Sequence, residues 1–177
     1  MSQQRTNVYI DGFNFYYGCV KGTPYKWLDF NKLCQLTLKG HHINRIRYFT
    51  ALVRPRPDDP QQRQRQQIYI RALETIPNLT VHYGHFLTGK KFWDGFKGDY
   101  DIAVIVSNDS DLLEPIKIVR KELGVQVGIL NPQEYPSSVL LQEADFVRQI
   151  RAGAISLSQF PSSITDSIGT ITKPSSW

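Results

Sequence analysis

The segment Tyr100-Asp101-Ile102-Ala103-Val104-Ile105-Val106-Ser107-Asn108-Asp109-Ser110-Asp111 passes abruptly from apolar residues to acids and amides. Residues 100–107 are almost purely apolar, the pattern of a strand covered on both faces in a parallel sheet. A second segment of the same kind opens the chain. Asn7-Val8-Tyr9-Ile10-Asp11 reads as a buried strand ending in the turn-like Asp11-Gly12-Phe13-Asn14, where Gly and Asn tolerate unusual backbone angles.

Around these two strands the pattern alternates between strand and helix. Residues 43–53 and 79–87 read as further strands, and the apolar run 125–130 as a fifth. Asp29 is placed to cap a helix over 30–39, with Phe30, Leu33 and Cys34 on its inner face. Asp58 or Asp59 can cap, and Pro60 can start, a helix over 61–76. Residues 111–123 have helical spacing and stop at Gly124, and Ser137 or Ser138 can cap a last helix reaching Ile150. The alternation predicts a three-layer α/β domain with a mostly parallel sheet of about five strands. From residue 152 onward Ser, Thr, Gly and Pro dominate, which predicts a non-helical tail that lies over the domain or is mobile.

Composition narrows the function classes. A chain of 177 residues with 41% hydrophobic content supports one domain with one core. No window approaches 18 consecutive apolar residues, and no charged and then apolar leader opens the chain, so a soluble, cytoplasmic protein without a membrane partner is expected. Cys19 and Cys34 lack a CxxC spacing and the four histidines are scattered, which argues against a disulfide framework or structural zinc. The net charge of +5 is unevenly spread: ten Lys/Arg stand against three Asp/Glu between residues 39 and 91, a local +7, and the remainder sums to −2. A basic middle beside an acidic remainder suits a protein that holds a polyanion near carboxylates, and equally an ordinary solvated face.

The chemistry is expected where loops and helix N-termini converge, outside the carboxyl ends of the strands. If the first and fourth strands are neighbours, Asp11, Asp109 and Asp111 meet there with Asn14 and Ser107. Carboxylates that close repel, so a compensating cation is expected, and oxygen-only ligands suit Mg²⁺ or Mn²⁺. Each acid taken singly can also be an N-cap or turn residue.

Val8-Tyr9-Ile10-Asp11-Gly12-Phe13-Asn14, followed at a distance by Ala103-Val104-Ile105-Val106-Ser107-Asn108-Asp109-Ser110-Asp111-Leu112, resembles the NYN domain family, the LabA-like branch of the PIN-like nuclease fold. The resemblance runs from about Asn7 to Ile150, so residues 1–151 are read as the domain and 152–177 as its tail. The tail, with Ser158-Gln159-Phe160-Pro161, Lys173-Pro174 and Trp177, is similar to those of the same branch. The resemblance implies a Rossmann-like sheet and an acid cluster that binds Mg²⁺ and cuts RNA. Asp11 then carries the first acid, Asn14 the neighbouring amide, and Asp109 and Asp111 the acids after the fourth strand. One motif the resemblance leads us to expect, Glu-Lys-Gly-x-Asp-Val before the fourth strand, is absent from residues 88–99, where Asp94 or Asp99 would have to substitute. That crossover is also short for a full helix.

The reading is a metal-dependent endoribonuclease acting on single-stranded RNA, with Asp11, Asp109 and Asp111 as metal ligands. Asn14 or Ser107 would position phosphate or water. Arg54, Arg56, Lys90 and Lys91 would grip the backbone, and Tyr16, Tyr17, Trp27 or Trp93 would stack on bases, unless they belong to the core. The alternative is a catalytically impaired NYN domain that binds RNA or a protein partner, favoured by the shortened crossover. A phosphatase or nucleotide-binding enzyme is disfavoured, since no GxGxxG or GxxxxGK cradle is present. Whether the chain forms a homodimer is left open.

Overall fold

β1 (Arg5–Asp11) is buried along both faces because its side chains alternate between two cores. Val8 and Ile10 join one apolar cluster and Tyr9 the other. β4 (Ile102–Val106) does the same, with Ile102, Val104 and Val106 on the first side and Ala103 and Ile105 on the second. This computed structural model describes residues 4–84 and 98–177.

β2 (His42–Thr50), β3 (Leu79–Tyr83), β5 (Gln126–Asn131) and β6 (Phe146–Gln149) complete a six-stranded sheet in the order β3-β2-β1-β4-β5-β6. Every pairing in it is parallel. β1 is therefore flanked by β2 and β4, and the strand order turns back between β1 and β4. That is the switch point at which open α/β sheets gather ligands. One face is covered by α2 (Phe30–Thr37), α3 (Gln62–Leu73) and α6 (Ala152–Leu157), and the other by α4 (Leu113–Lys117) and α5 (Ser138–Glu143). The three-layer α/β architecture is as the alternation predicts.

Several elements differ from the sequence reading. Residues 146–149 form the sixth strand instead of continuing the last helix, because the helix ends at Glu143 and Asp145 turns the chain. The Asp145 side chain accepts a bond from the Val127 amide (2.8 Å) while its own amide donates to the Val127 carbonyl (2.7 Å). The turn-like Gly12 begins α1 (Gly12–Phe15), which widens into a π-helical turn over Tyr16–Val20. Asp29 caps α2 as expected, its Oδ1 accepting from Asn31 and Lys32 (2.9 and 3.1 Å). Asp58 and Asp59 do not cap α3, whose N-cap is Gln61; Asp59 is held by Arg65 instead. The tail is not wholly non-helical: α6 is followed by a hairpin of β7 (Ser163–Thr165) and β8 (Thr170–Thr172), tied to α3 through Arg71 and Asp166 (2.6 Å). Among the described residues no helix is long and apolar enough to cross a membrane.

Two glycines wedge the helix after β1 into place. A Cβ on Gly12 would lie 2.6 Å from the Tyr48 hydroxyl end and 2.8 Å from the Phe49 carbonyl, and one on Gly18 would lie 2.6 Å from the Pro132 carbonyl. Both sites oppose backbone, which yields little. Gly12→Ala is expected to destabilise by about 1–3 kcal/mol, and so to lower Tm by about 2–4 °C per kcal/mol in a chain of this size. Gly153→Ala, where nothing lies within 4 Å of the added atom, is the control and should be neutral or slightly stabilising in urea denaturation.

Candidate functional site

Asp11 ends β1 and caps the helix that follows, its Oδ1 accepting from the amides of Phe13 (3.1 Å) and Asn14 (3.0 Å). Asp109 stands three residues beyond β4 and caps the 3₁₀ turn Ser110–Leu112, its Oδ1 accepting from the Asp111 amide (3.1 Å). Each acid thus spends one oxygen on a cap. The second oxygen of each lies outside these capping bonds.

Two further residues lock the strand ends together. The Asn14 Oδ1 accepts from the Asn108 amide (3.0 Å), joining the turn after β1 to the turn after β4. Ser107 is fully buried; its hydroxyl accepts from the Asp109 amide (3.2 Å) and hydrogen-bonds to Asp11. Both residues, expected to position phosphate or water, are engaged in holding the two acids. Ser107 has no exposed surface, and its hydroxyl is spent on the two acids.

Burial raises the pKa of Asp11 above the usual carboxylate range, and the charge of Asp109 adds to the rise. The amides of Asn14 and Phe13 and the Ser107 hydroxyl oppose it without cancelling it. Asp111 is exposed, and among the described residues no three His, Cys, Asp or Glu side chains converge as a metal cage. The two acids coupled by charge are Asp11 and Asp109; the sequence reading expects Asp111 beside them. Two carboxylates surrounded by oxygen and amide donors fit a hard divalent cation that keeps most of its waters, and do not fit zinc.

The acidic turn separates two recesses. On one side Asn14, Asn108, Gln133, Glu134 and Tyr135 line a polar recess of about 310 Å³. The Asn108 side chain braces it, accepting from the Ser137 amide (2.6 Å) and donating to the Tyr135 carbonyl (3.0 Å), while the Tyr135 side chain stands 76% exposed. The sequence reading missed Gln133, Glu134 and Tyr135, although they follow β5 in the same way that the acids follow β1 and β4. On the other side Gly12 and Phe13 border an aromatic cavity of about 400 Å³. Tyr16 and Tyr17 line it, whereas Trp27 is a core residue with its Nε1 donating to the Pro161 carbonyl (2.7 Å).

Three arginines of the basic stretch are spent on separate ion pairs. Arg45 pairs with Asp99 (3.1 Å) beyond the amino end of β4, Arg65 with Asp59, and Arg71 with Asp166 in the tail. Asp99 therefore lies at the opposite end of the sheet from Asp11 and does not complete the acid pair. Arg54 and Arg56 are exposed on the loop after β2, with no side-chain ion pair among the described residues. Lys90, Lys91, Trp93 and Asp94 lie outside the described residues.

Comparison with known proteins bears on this geometry. The model of the NYN domain family matches residues 5–151. The 6-hydroxy-3-succinoylpyridine 3-monooxygenase HspA of Pseudomonas putida (strain DSM 28022 / S16) is 27% identical over 243 residues, covering 98% of this chain and 75% of the relative. That alignment is longer than this chain, so the relative carries residues that this chain lacks. A crystal structure of a protein of unknown function from Vibrio parahaemolyticus RIMD 2210633 superimposes with a TM-score of 0.59 over 84% of this chain and 94% of that one, at 18% identity. This is a likeness of fold.

Because the folded pKa of Asp11 is raised, folding favours its protonated form. The stability this group contributes is fully present below the unfolded value of about 3.9 and is lost as pH rises through the folded value. At neutral pH the ionised carboxylate therefore works against the fold. Asparagine caps a helix about as well as aspartate. Asp11→Asn is thus expected to raise Tm at pH 7 without added metal, the gain shrinking toward pH 4; calorimetry across that range reads it.

Proposed function

The chain belongs to the NYN domain family, matched over residues 5–151, and from that membership we propose that it hydrolyses phosphodiester bonds of single-stranded RNA with Mg²⁺ or Mn²⁺ as cofactor. The observation that carries this reading is the meeting of Asp11 and Asp109 at the switch point, close enough for the charge of one to raise the pKa of the other. Such a pair stands ready for a cation. Asp11 and Asp109 would hold it through the oxygens not engaged in capping. Once bound, a divalent ion supplies Lewis acidity toward water and offsets charge on a phosphate.

The remaining roles belong to the chain itself. Asn14 and Ser107 fix the spacing of the two acids. Asn108 and the exposed Tyr135 border the polar recess, where a strand of RNA can lie with a base against the tyrosine ring. Arg54 and Arg56, exposed, supply phosphate contacts whose strength falls with salt, and Lys90 and Lys91 are assigned the same role from the sequence. Asp111 is assigned a place beside the pair rather than within it.

Two other readings have a specific observation behind them. A binding module without turnover is favoured by the presence of two convergent carboxylates where three are expected. A monooxygenase acting on a pyridine ring, the activity in the Pseudomonas relative's name, is favoured by the aromatic cavity beside Gly12.

Incubation of a fluorescent single-stranded RNA with the purified chain separates these readings. Cleavage is expected with Mg²⁺ or Mn²⁺, stopping with chelator. Asp11→Asn and Asp109→Asn should each lose about a hundredfold or more, at or above the loss when only an outer partner of a metal ligand is removed. In parallel, Mg²⁺ should raise the Tm of the wild type and leave that of Asp11→Asn unmoved. RNA bound but uncut in either metal overturns the nuclease reading in favour of a binding module.

A further inference from the structure

The aromatic cavity has no part in the cleavage chemistry above, and its lining is unlike that of the polar recess. Tyr16, Tyr48, Tyr69 and Trp177 form its walls, with Phe13 and Phe15 from the helix after β1. The ring centroids of Tyr69 and Trp177 lie 5.5 Å apart, and both rings rest on the buried Trp27 (6.0 and 6.5 Å). The Tyr69 hydroxyl is anchored on the Leu28 carbonyl (2.8 Å). The walls are therefore set by the core rather than left to solvent.

The mouth is cationic. Lys26 and Arg65 line it against one acid, Asp59, whose pKa is held below the carboxylate range by Arg65 and then by Arg56 and Lys26. Lys26 and Arg65 face one carboxylate there, and Arg65 is already paired with it, so Lys26 is left as the positive charge that suits an anion. Gln62, on the same wall, carries a buried Oε1 with no hydrogen-bond partner among the described residues. Its neighbour Gln66 is fully engaged: Oε1 accepts from the Val53 amide (2.9 Å) and Nε2 donates to the Ala51 carbonyl (2.9 Å). After a turn of the side chain the Gln62 amide can accept from a ring N–H or donate to a bare ring nitrogen, so it suits a heteroaromatic ring of either kind.

A volume of about 400 Å³ falls in the range of pockets for small ligands, about 300–1,000 Å³, and exceeds what one flat ring needs. We propose that this cavity binds a planar heteroaromatic ring bearing an anionic group, the ring packed against the aromatic wall and the anion at Lys26. Two sources share that chemistry: the base and phosphate of a nucleotide, free or within RNA, and a free heteroaromatic acid. Binding here is independent of cleavage at Asp11 and Asp109.

Titration calorimetry with a nucleoside 5′-monophosphate and, separately, with pyridine-3-carboxylate tests this in the metal-free full chain. Saturable binding of at least one probe is expected. Trp177→Ala should weaken it by about tenfold, the weight of one stacking ring. Lys26→Glu, a partly exposed position, should weaken it by about threefold or more and flatten its salt dependence. Binding of the nucleotide alone identifies the nucleic-acid source, and binding of the pyridine acid alone the free one. No saturable binding of either probe, or binding that both variants retain with melting curves like the wild type, overturns the proposal. Should Trp177→Ala fail to fold, Lys26→Glu decides alone. Asp11→Asn, which removes a cleavage residue, should keep the binding, so the cavity and the nuclease reading fail separately.

Discussion

Asp11 is kept beside Asp109 against its own preference for water. Like charges repel more strongly in a partly buried site than in bulk water, because the effective dielectric there is lower. What holds them is the pairing of β1 on both edges. Val8 faces Ile46 of β2 and Val104 of β4, so the end of β1 cannot drift without breaking two parallel ladders. Two backbone amides and a hydroxyl then compensate part of the charge. The residual rise in pKa is the part of that conflict the fold leaves unresolved, and it is what makes the pair receptive to a cation.

The ordinary role of these acids and their chemical role are not competitors. An N-cap needs one carboxylate oxygen facing the first amides of a helix. Asp11 and Asp109 both meet that need with Oδ1 alone. Capping therefore fixes each carboxylate in orientation, which a site for a metal and a phosphate also requires. The Asn14 bond to Asn108 extends the same economy across the gap between strands.

The parts of the fold legible in the sequence are those with one physical reading. The runs 102–106 and 126–130 are apolar on both faces and admit little else than buried strands, and Asp29 before Phe30 is an unambiguous cap. Residues 146–149 were not legible, because Phe146, Val147 and Ile150 fit a helical stripe as well as a short strand; only Asp145, bonded to both sides of Val127, breaks the helix. The site was half legible. Sequence spacing says that acids follow two strands, but the adjacency of β1 and β4 is a property of strand order, which spacing does not contain. Asp111 shows the same limit: it stands two residues after Asp109 in the 3₁₀ turn that Asp109 caps, and its exposure is not something spacing states. The aromatic walls were legible only one by one, since Tyr16, Tyr48, Tyr69 and Trp177 come from four separate parts of the chain.

Gly12 joins the two halves of this surface. Its missing side chain lets the Tyr48 hydroxyl end and the Phe49 carbonyl sit against the turn that carries Asp11. Tyr48 is buried, and its hydroxyl is held protonated well above the ordinary range, first by burial and then by the nearby Asp11. A neutral phenol thus forms one wall of the aromatic cavity while its far end lies against the backbone of the acidic turn. The cavity and the acid pair are separate in chemistry and meet at Gly12, whose missing side chain leaves room for the wall of one beside the cap of the other.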